Sequence, residues 1–149
     1  MQPRLDFYKA SPAAAKAMIA LESAVTQLGL DPGLLDLIKL RASQINGCAY
    51  CVDMHSADAQ KRGETERRLH AVVVWRESPF FTERERAALA WTEALTRVFE
   101  TRAPDIDYEW LSSQFTERER VDLTLAIGPG LDRAGGADQV AGTGERVRP

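Results

Sequence analysis

Hydrophobic residues recur every three or four positions through most of the first 127 residues, which is the spacing of amphipathic α-helices. The pattern predicts helices over about 12–29, 32–45, 48–62, 64–75, 83–99 and 117–127. The apolar run Ala71–Trp75 has the residue types of a strand, but we interpret it as the buried face of the fourth helix, with a core side formed by Leu69, Val72 and Val73. The sequence therefore predicts an all-α fold.

Residues that start and stop helices agree with this division. Ser11-Pro12 is an N-cap residue followed by proline at the first helical position. The six residues Phe81–Arg86 are repeated as Phe115–Arg120, and each copy has the threonine and glutamate of a capping box. Gly63 follows two basic residues, which is a common helix ending. Duplication of a helical unit and two uses of one good cap explain the repeat equally well.

The second predicted helix contains charged residues as well as an apolar stripe. Arg41 falls inside the apolar stripe, so we expect its guanidinium to be paired rather than solvated. Asp36, Lys39 and Ser43 fall in the polar sector, where Asp36 and Lys39 have the spacing of a solvated ion pair. The apolar stripe itself consists of Leu34, Leu35, Ile38, Ala42 and Ile45.

Length and composition indicate one folded domain and a tail. A chain of 149 residues can bury a sizeable core, and its 44% hydrophobic and 28% charged residues are ordinary for a globular protein. The composition changes at Gly128, because residues 128–149 hold six of the ten glycines and no aromatic residue. We therefore expect a helical domain over 1–127 and a flexible, glycine-rich tail over 128–149.

The charge pattern excludes several classes of partner. A net charge of -3, without a lysine- or arginine-rich block, provides no basic surface for nucleic acid. No segment approaches the roughly 20 apolar residues of a membrane span, and the first residues lack a signal-peptide core. We therefore expect a cytoplasmic protein that binds neither nucleic acid nor membrane. Without a Gly-x-Gly-x-x-Gly motif or a metal-ligand cluster, we also expect no cofactor and no metal.

Candidate chemistry is concentrated in residues 43–55, which contain both cysteines of the chain as a Cys-x-x-Cys pair. Asn46-Gly47 is a helix-breaking signal, so we expect Cys48 to open a helix, where the positive end of the helix dipole favours a thiolate. On that helix Cys48, Cys51 and His55 lie at i, i+3 and i+7 and share one face. This pattern is typical of reactive thiols beside an imidazole.

Other interpretations of these residues stay open. A Cys-x-x-Cys pair is also half of a structural zinc site, although zinc needs four ligands and the chain has no second pair. In a reducing compartment such a pair is more often catalytic or metal-binding than a structural disulfide. The alternative for His55 is an ordinary surface histidine, and Asp58 is a candidate for orienting its ring. A helical scaffold whose cysteines only pack is a third interpretation.

Residues 34–96 resemble the AhpD-like alkylhydroperoxidase branch of the carboxymuconolactone decarboxylase family. The resemblance is carried by Leu37–His55, with Ile-Asn-Gly before Cys-x-x-Cys-x-x-x-His, and by Trp75–Thr82. It implies an all-helical bundle of helical hairpins that assembles as a dimer, trimer or hexamer. It also implies a thiol-dependent peroxidase that takes a hydroperoxide substrate and an external dithiol, thioredoxin-like or lipoyl reductant. The alternative is a protein disulfide oxidoreductase or redox sensor without significant peroxide turnover.

The resemblance also implies roles for individual residues. Cys51 would be the peroxide-attacking thiol, Cys48 the resolving thiol and His55 the base or proton relay. Asp36, twelve residues before Cys48, stands where the family carries a glutamate and is one methylene shorter. Tyr50 stands where some members have a histidine. The resemblance therefore predicts a site made of Cys51, Cys48, His55 and Asp36.

Overall fold

The computed structural model describes residues 5–128 and shows a bundle of α-helices. No strand occurs among these residues, so the all-α prediction is confirmed. None of the helices in this part of the chain is long and apolar enough to cross a membrane. Beyond Gly128 the expected tail lies outside the described residues, and its flexibility stays a prediction. The helices are α1 (Phe7–Ala10), α2 (Pro12–Val25), α3 (Pro32–Asn46), α4 (Ala49–Lys61), α5 (Glu66–Ala71), α6 (Glu83–Thr96), α7 (Val98–Thr101), α8 (Asp105–Gln114) and α9 (Glu117–Ile127), with a 3-10 turn at Val72–Val74.

Helix starts follow the capping signals of the sequence. Thr82 accepts a hydrogen bond from the backbone N–H of Glu85, whose carboxylate in turn accepts one from the N–H of Thr82. Thr116 and Glu119 make the same reciprocal pair at the start of α9. Both predicted capping boxes are therefore formed. Ser11 precedes α2 as predicted, but its side chain makes no capping hydrogen bond.

The segment after α5 differs from the prediction at one position. Leu69 and Val72 are buried as expected, whereas Val73 is 54% exposed, so its assignment to the core was wrong. The cause is the 3-10 turn, which advances three residues per turn instead of 3.6 and places Val72 and Trp75 on the same side. Trp75 is accordingly buried, and the residues between them turn outward.

Two helix lengths also differ from the hydrophobic pattern. The helix predicted over 83–99 ends at Thr96, and Phe99 in the short α7 is 94% exposed. The helix predicted over 12–29 ends at Val25. The pattern gave no helix where α8 forms, because Leu111 is the only residue of α8 that is fully buried and the apolar periodicity there is weak.

Helix α3 lies at the centre of the bundle and packs mainly against α4 and α6, with α9 and the 3-10 turn also against it. Every residue from Leu34 to Ser43 except Lys39 is buried, so the one-sided stripe predicted for this helix was too narrow. One apolar cluster joins α3 to α6, α8 and α9. A second joins α3 to α4, α5 and α6, and its buried members include Leu37, Leu40, Ala59, Leu69, Val72, Trp75 and Leu89.

The predicted polar sector of α3 is not a solvated surface. Ser43 is buried and its hydroxyl donates a hydrogen bond to the carbonyl of Lys39 at 2.8 Å. Lys39 pairs with Glu22 of α2 rather than with Asp36. The expectation of a solvated Asp36–Lys39 ion pair was therefore wrong. Neighbouring helices cover this side of α3, and its polar groups are consequently satisfied inside the protein.

The prediction that Arg41 is paired is confirmed. Its guanidinium contacts one carboxylate oxygen of Glu93 in α6 through Nε at 2.8 Å and Nη2 at 2.6 Å. The indole N–H of Trp75 donates to the same carboxylate at 2.9 Å, and Arg76 contacts its other oxygen at 2.9 Å. Burial acts to raise the pKa of Glu93, but the hydrogen bonds from Trp75, Arg41 and Arg76 outweigh it and lower this pKa below its ordinary value.

One arginine holds the loop that contains Trp75–Thr82, the second of the two segments that carry the family resemblance. Arg86 of α6 donates hydrogen bonds to the backbone carbonyls of Phe81 and Arg76, both at 3.1 Å, and also to that of Ser78. A single planar guanidinium therefore provides hydrogen bonds to three backbone carbonyl groups that lie in a loop, outside the helices. The loop between the 3-10 turn and α6 is held in one conformation, and Trp75 is thereby held against Glu93.

Replacing Glu93 with glutamine should destabilise the protein because it leaves the buried Arg41 guanidinium without a counter-charge. We expect a loss of about 3 kcal/mol in the free energy of unfolding at pH 7, measured with urea. Because folding lowers the pKa of Glu93, its stabilisation is complete above the unfolded value of 4.5 and is lost as pH falls through the folded pKa. Glu93→Gln should therefore lose less stability than the parent chain on acidification.

Glu109→Gln is the matched control, since Glu109 is an exposed carboxylate on α8. An equal loss of stability in both variants would contradict the role assigned to the Arg41–Glu93 pair.

Candidate functional site

A two-residue turn, Gly47-Cys48, connects the two helices that build the site. Helix α3 ends at Asn46, and Gly47 adopts the left-handed conformation with φ of 65°, which favours glycine at this position. The N–H of Gly47 bonds to the carbonyl of Gln44 at 3.2 Å, and the N–H of Cys48 bonds to that of Ser43 at 3.1 Å. The chain therefore reverses immediately, and the break predicted at Asn46-Gly47 is confirmed.

Cys48 is the N-cap residue of α4, as the sequence predicts. Its sulfur accepts a hydrogen bond from the backbone N–H of Cys51 at 3.3 Å, which is the role of a capping side chain. The two cysteines form a disulfide across a Cα–Cα distance of 5.3 Å. Cys51 is 1% exposed, whereas Cys48 is partly exposed. The helix N-terminus would stabilise a thiolate on this pair after reduction, because the unpaired N–H groups and the helix dipole favour negative charge there.

His55 lies one helical turn after Cys51 on the same face of α4. Cys51, His55 and Ala59 are the buried residues of this helix, and Asp53 points outward into solvent. His55 is 6% exposed and is therefore not an ordinary surface histidine. Asp58, the candidate for orienting its ring, forms an ion pair with Lys61 at 2.9 Å.

Asp36 is the buried carboxylate of the site, at 6% exposure. It lies on α3, and its two oxygens accept hydrogen bonds from Nη1 of Arg62 at 2.7 and 2.9 Å. Burial raises the pKa of Asp36, and the charge and hydrogen bonds of Arg62 offset this rise only in part. His55 also acts electrostatically on Asp36 and lowers its pKa. The structure therefore brings the four predicted residues to the interface of α3 and α4.

Sequence reasoning missed Arg62 as a member of this site. It was interpreted only as part of a basic helix ending, and it is indeed the C-cap residue of α4. The signal that would have identified it is its spacing, since Arg62 follows His55 by seven residues, or two helical turns, and so lies on the same face. Among residues 5–128 no group of three or more histidine, cysteine, aspartate or glutamate side chains is arranged to hold a metal ion.

An all-helical bundle that carries a Cys-x-x-Cys pair at a helix N-terminus, with a buried histidine and carboxylate beside it, has the features implied by the sequence resemblance. The model of the carboxymuconolactone decarboxylase family matches residues 12–94, which is more than half of the chain. The protein belongs to this family.

Two relatives are similar to this chain over most of their length. YdfG of Bacillus subtilis, an uncharacterized protein, is 39% identical over 127 residues, which are 85% of this chain and 86% of YdfG. A crystal structure of a protein of unknown function from Agrobacterium tumefaciens, suggested to be the antioxidant defence protein AhpD, is 45% identical with a TM-score of 0.81 and covers 94% of both chains. The debrominase Bmp8 shares the fold at 23% identity, with a TM-score of 0.69 over 80% of this chain and 64% of Bmp8.

The unequal burial of the two sulfurs gives a test with reduced protein. We expect N-ethylmaleimide to modify Cys48 in the Cys51→Ser variant on the order of ten times faster than Cys51 in the Cys48→Ser variant, because a bulky reagent needs access as well as a thiolate. Intact mass against time measures both rates, and the same reaction in denaturant is the control for intrinsic reactivity. Equal rates in the folded variants would contradict the exposure difference.

Proposed function

We propose that this protein is a thiol-dependent peroxidase that reduces hydroperoxides through Cys48 and Cys51. The observation that carries this proposal is the Cys48–Cys51 disulfide at the start of α4, on the face that also holds the buried His55. The membership of the family and the similarity to a structure suggested to be AhpD support the same chemistry.

The cycle uses both sulfurs. The Cys51 thiolate attacks the distal oxygen of the hydroperoxide, the O–O bond breaks, and the alkoxide or hydroxide leaves and takes a proton. Cys51 is then a sulfenic acid. The Cys48 thiolate attacks this sulfur, the S–S bond forms, and the hydroxyl leaves as water after taking a proton. An external dithiol reduces the disulfide by two successive exchange steps and is itself oxidised.

His55 and Asp36 supply the proton transfers in this proposal. His55 is one turn from Cys51, which is the spacing at which two side chains on a helix meet, so its imidazole can take the thiol proton and later pass it to the leaving oxygen. Asp36 favours the imidazolium that forms, through the electrostatic interaction that already links it to His55. Cys51 is nearly inaccessible, and this favours small hydroperoxides as substrates.

The partly exposed position of Cys48 supports a second role for this residue. A dithiol reductant can reach Cys48 more easily than Cys51, so exchange would begin with attack on the Cys48 sulfur and leave Cys51 as the thiolate. Thioredoxin-like and lipoyl dithiols both have this chemistry. The same observation favours a second function, in which the protein is a cytoplasmic disulfide oxidoreductase or redox sensor and reacts with peroxide only incidentally.

Assembly into a homo-oligomer is also part of the proposal. Several large apolar side chains that a monomer leaves in water lie on α2, α7, α8 and α9, and self-association would bury them. A dimer is the smallest such assembly, and trimers or hexamers are the larger ones implied by the family resemblance. The exposed side chains are Ile19, Leu21, Val98, Phe99, Ile106, Val121 and Leu125.

Stoichiometric hydrogen peroxide tests the roles of the two cysteines. In the reduced parent chain we expect an internal Cys48–Cys51 disulfide, and in Cys48→Ser a sulfenic acid on Cys51 that a dimedone probe traps. Mass spectrometry identifies both products. Trapping on Cys48 in the Cys51→Ser variant, with none in Cys48→Ser, would reverse the assigned roles. Catalytic peroxide consumption with dithiothreitol separates a peroxidase from an oxidoreductase, which would form the disulfide without sustained turnover.

Light scattering tests the assembly. We expect at least a dimer for the full chain, and the same dimer for a chain that ends at Ile127, because the exposed apolar side chains belong to the helical body. A monomeric full chain would refute the assembly. Loss of the oligomer only in the shortened chain would place the contacts in residues 128–149.

A further inference from the structure

We propose that Arg62 is a positioning residue of this site, which holds the Asp36 carboxylate ionised and turned toward His55, and so sets the lower pH limit of Cys51 reactivity. The inference rests on the proposed role of Cys51 as the reacting thiol. It assigns a function to a residue that the peroxidase cycle does not otherwise use.

Asp36 contacts Arg62 directly and interacts electrostatically with His55. Cys51, His55 and Arg62 follow one another on α4 at intervals of four and seven residues, which keeps all three on one side of the helix. Asp36 reaches this side from α3. Nη1 of Arg62 lies 2.7 and 2.9 Å from its two oxygens, so a single donor bridges both. The carboxylate is therefore fixed in direction and does not rotate freely.

The charges around Asp36 make Arg62 the decisive partner. Burial favours the neutral acid, and Arg62 is the largest opposing influence, ahead of His55, while Asp58 acts in the same direction as burial. The other charged groups of α3 are engaged elsewhere, since Lys39 pairs with Glu22 of α2 and Arg41 pairs with Glu93 of α6. On α4, Lys61 pairs with Asp58. After Arg62, His55 is the next largest influence that opposes burial.

The chemical consequence concerns the imidazolium. When His55 takes the proton of Cys51, an ionised Asp36 stabilises the charge that forms, whereas a protonated Asp36 does not. The reactivity of Cys51 should therefore fall as pH decreases through the titration of Asp36. Removing Arg62 should move the titration of Asp36 to higher pH. The pH at which Cys51 loses reactivity should therefore rise as well.

The test uses Arg62→Met, which removes the charge but keeps an apolar stem, in the Cys48→Ser chain where Cys51 is the single thiol. Iodoacetamide alkylation of Cys51 is followed by intact mass from pH 5 to 8. The rate of Cys51 alkylation in the chain with Arg62→Met is divided by the rate in the Cys48→Ser chain alone. We expect this ratio to be near one at pH 8 and to fall several-fold toward pH 5.5. Arg62→Lys should recover most of the ratio because it restores the positive charge.

Arg118→Met is the matched control, since Arg118 is an exposed arginine on α9 that does not contact Asp36, and its ratio should stay flat with pH. Carbon-detected NMR reports the titration of the Asp36 carboxyl directly. It is recorded on two disulfide-bonded proteins that keep both cysteines, the unsubstituted chain and Arg62→Met, and the titration midpoint should be higher in Arg62→Met. Helical circular dichroism confirms that each variant is folded, and Arg62→Lys provides the comparison if Arg62→Met is not.

The outcomes separate the two proposals. An unchanged Asp36 midpoint, or a ratio as flat in Arg62→Met as in Arg118→Met, overturns the role of Arg62 whether or not the protein consumes peroxide. A higher Asp36 midpoint together with a falling ratio supports it even if peroxide turnover is absent, in which case only the peroxidase assignment is lost.

Discussion

The structure depends on burying a central helix that carries two opposite charges. Asp36 and Arg41 both lie in the covered part of α3, and neither is tolerable there without a partner. Asp36 is bonded to Arg62 at the end of α4, and Arg41 is bonded to Glu93 in α6. The two pairs therefore connect the central helix to its main neighbours at defined positions. Apolar packing alone would permit neighbouring helices to slide along α3, whereas these pairs favour one register.

The same helix thereby provides both the core and part of the candidate site. Its end leads through Gly47 directly into Cys48, so the first turn of α4 and its unpaired N–H groups are fixed relative to α3. His55 and Asp36 are consequently both buried on adjacent helices and interact electrostatically. The disulfide, the imidazole and the carboxylate do not depend on a long loop for their placement. This rigidity is what a proton relay between α3 and α4 requires, because proton transfer is sensitive to small displacements.

Much of this arrangement could be predicted from the sequence, and the failures have a common cause. Local signals predicted both capping boxes, the break at Gly47 and the shared face of Cys51 and His55, because each depends on residues a few positions apart. The pairing of Arg41 followed from its place in an apolar stripe. Helix periodicity places Arg62 on the face of α4 that holds His55, but it could not predict that Arg62 pairs with Asp36, which lies 26 residues earlier on α3. Val73 was misplaced because a 3-10 turn changes the periodicity itself.

The single left-handed residue between α3 and α4 has a consequence for how this family member can vary. Substitutions on the outer faces of the two helices leave the turn unchanged, but an inserted or deleted residue between Cys51 and His55 would rotate every following side chain by about 100° around the helix. Such a change would carry the imidazole away from the sulfur and Arg62 away from Asp36 together. The spacing of this segment is therefore under stronger constraint than most of its residue identities, and length variation among functional relatives should occur outside it.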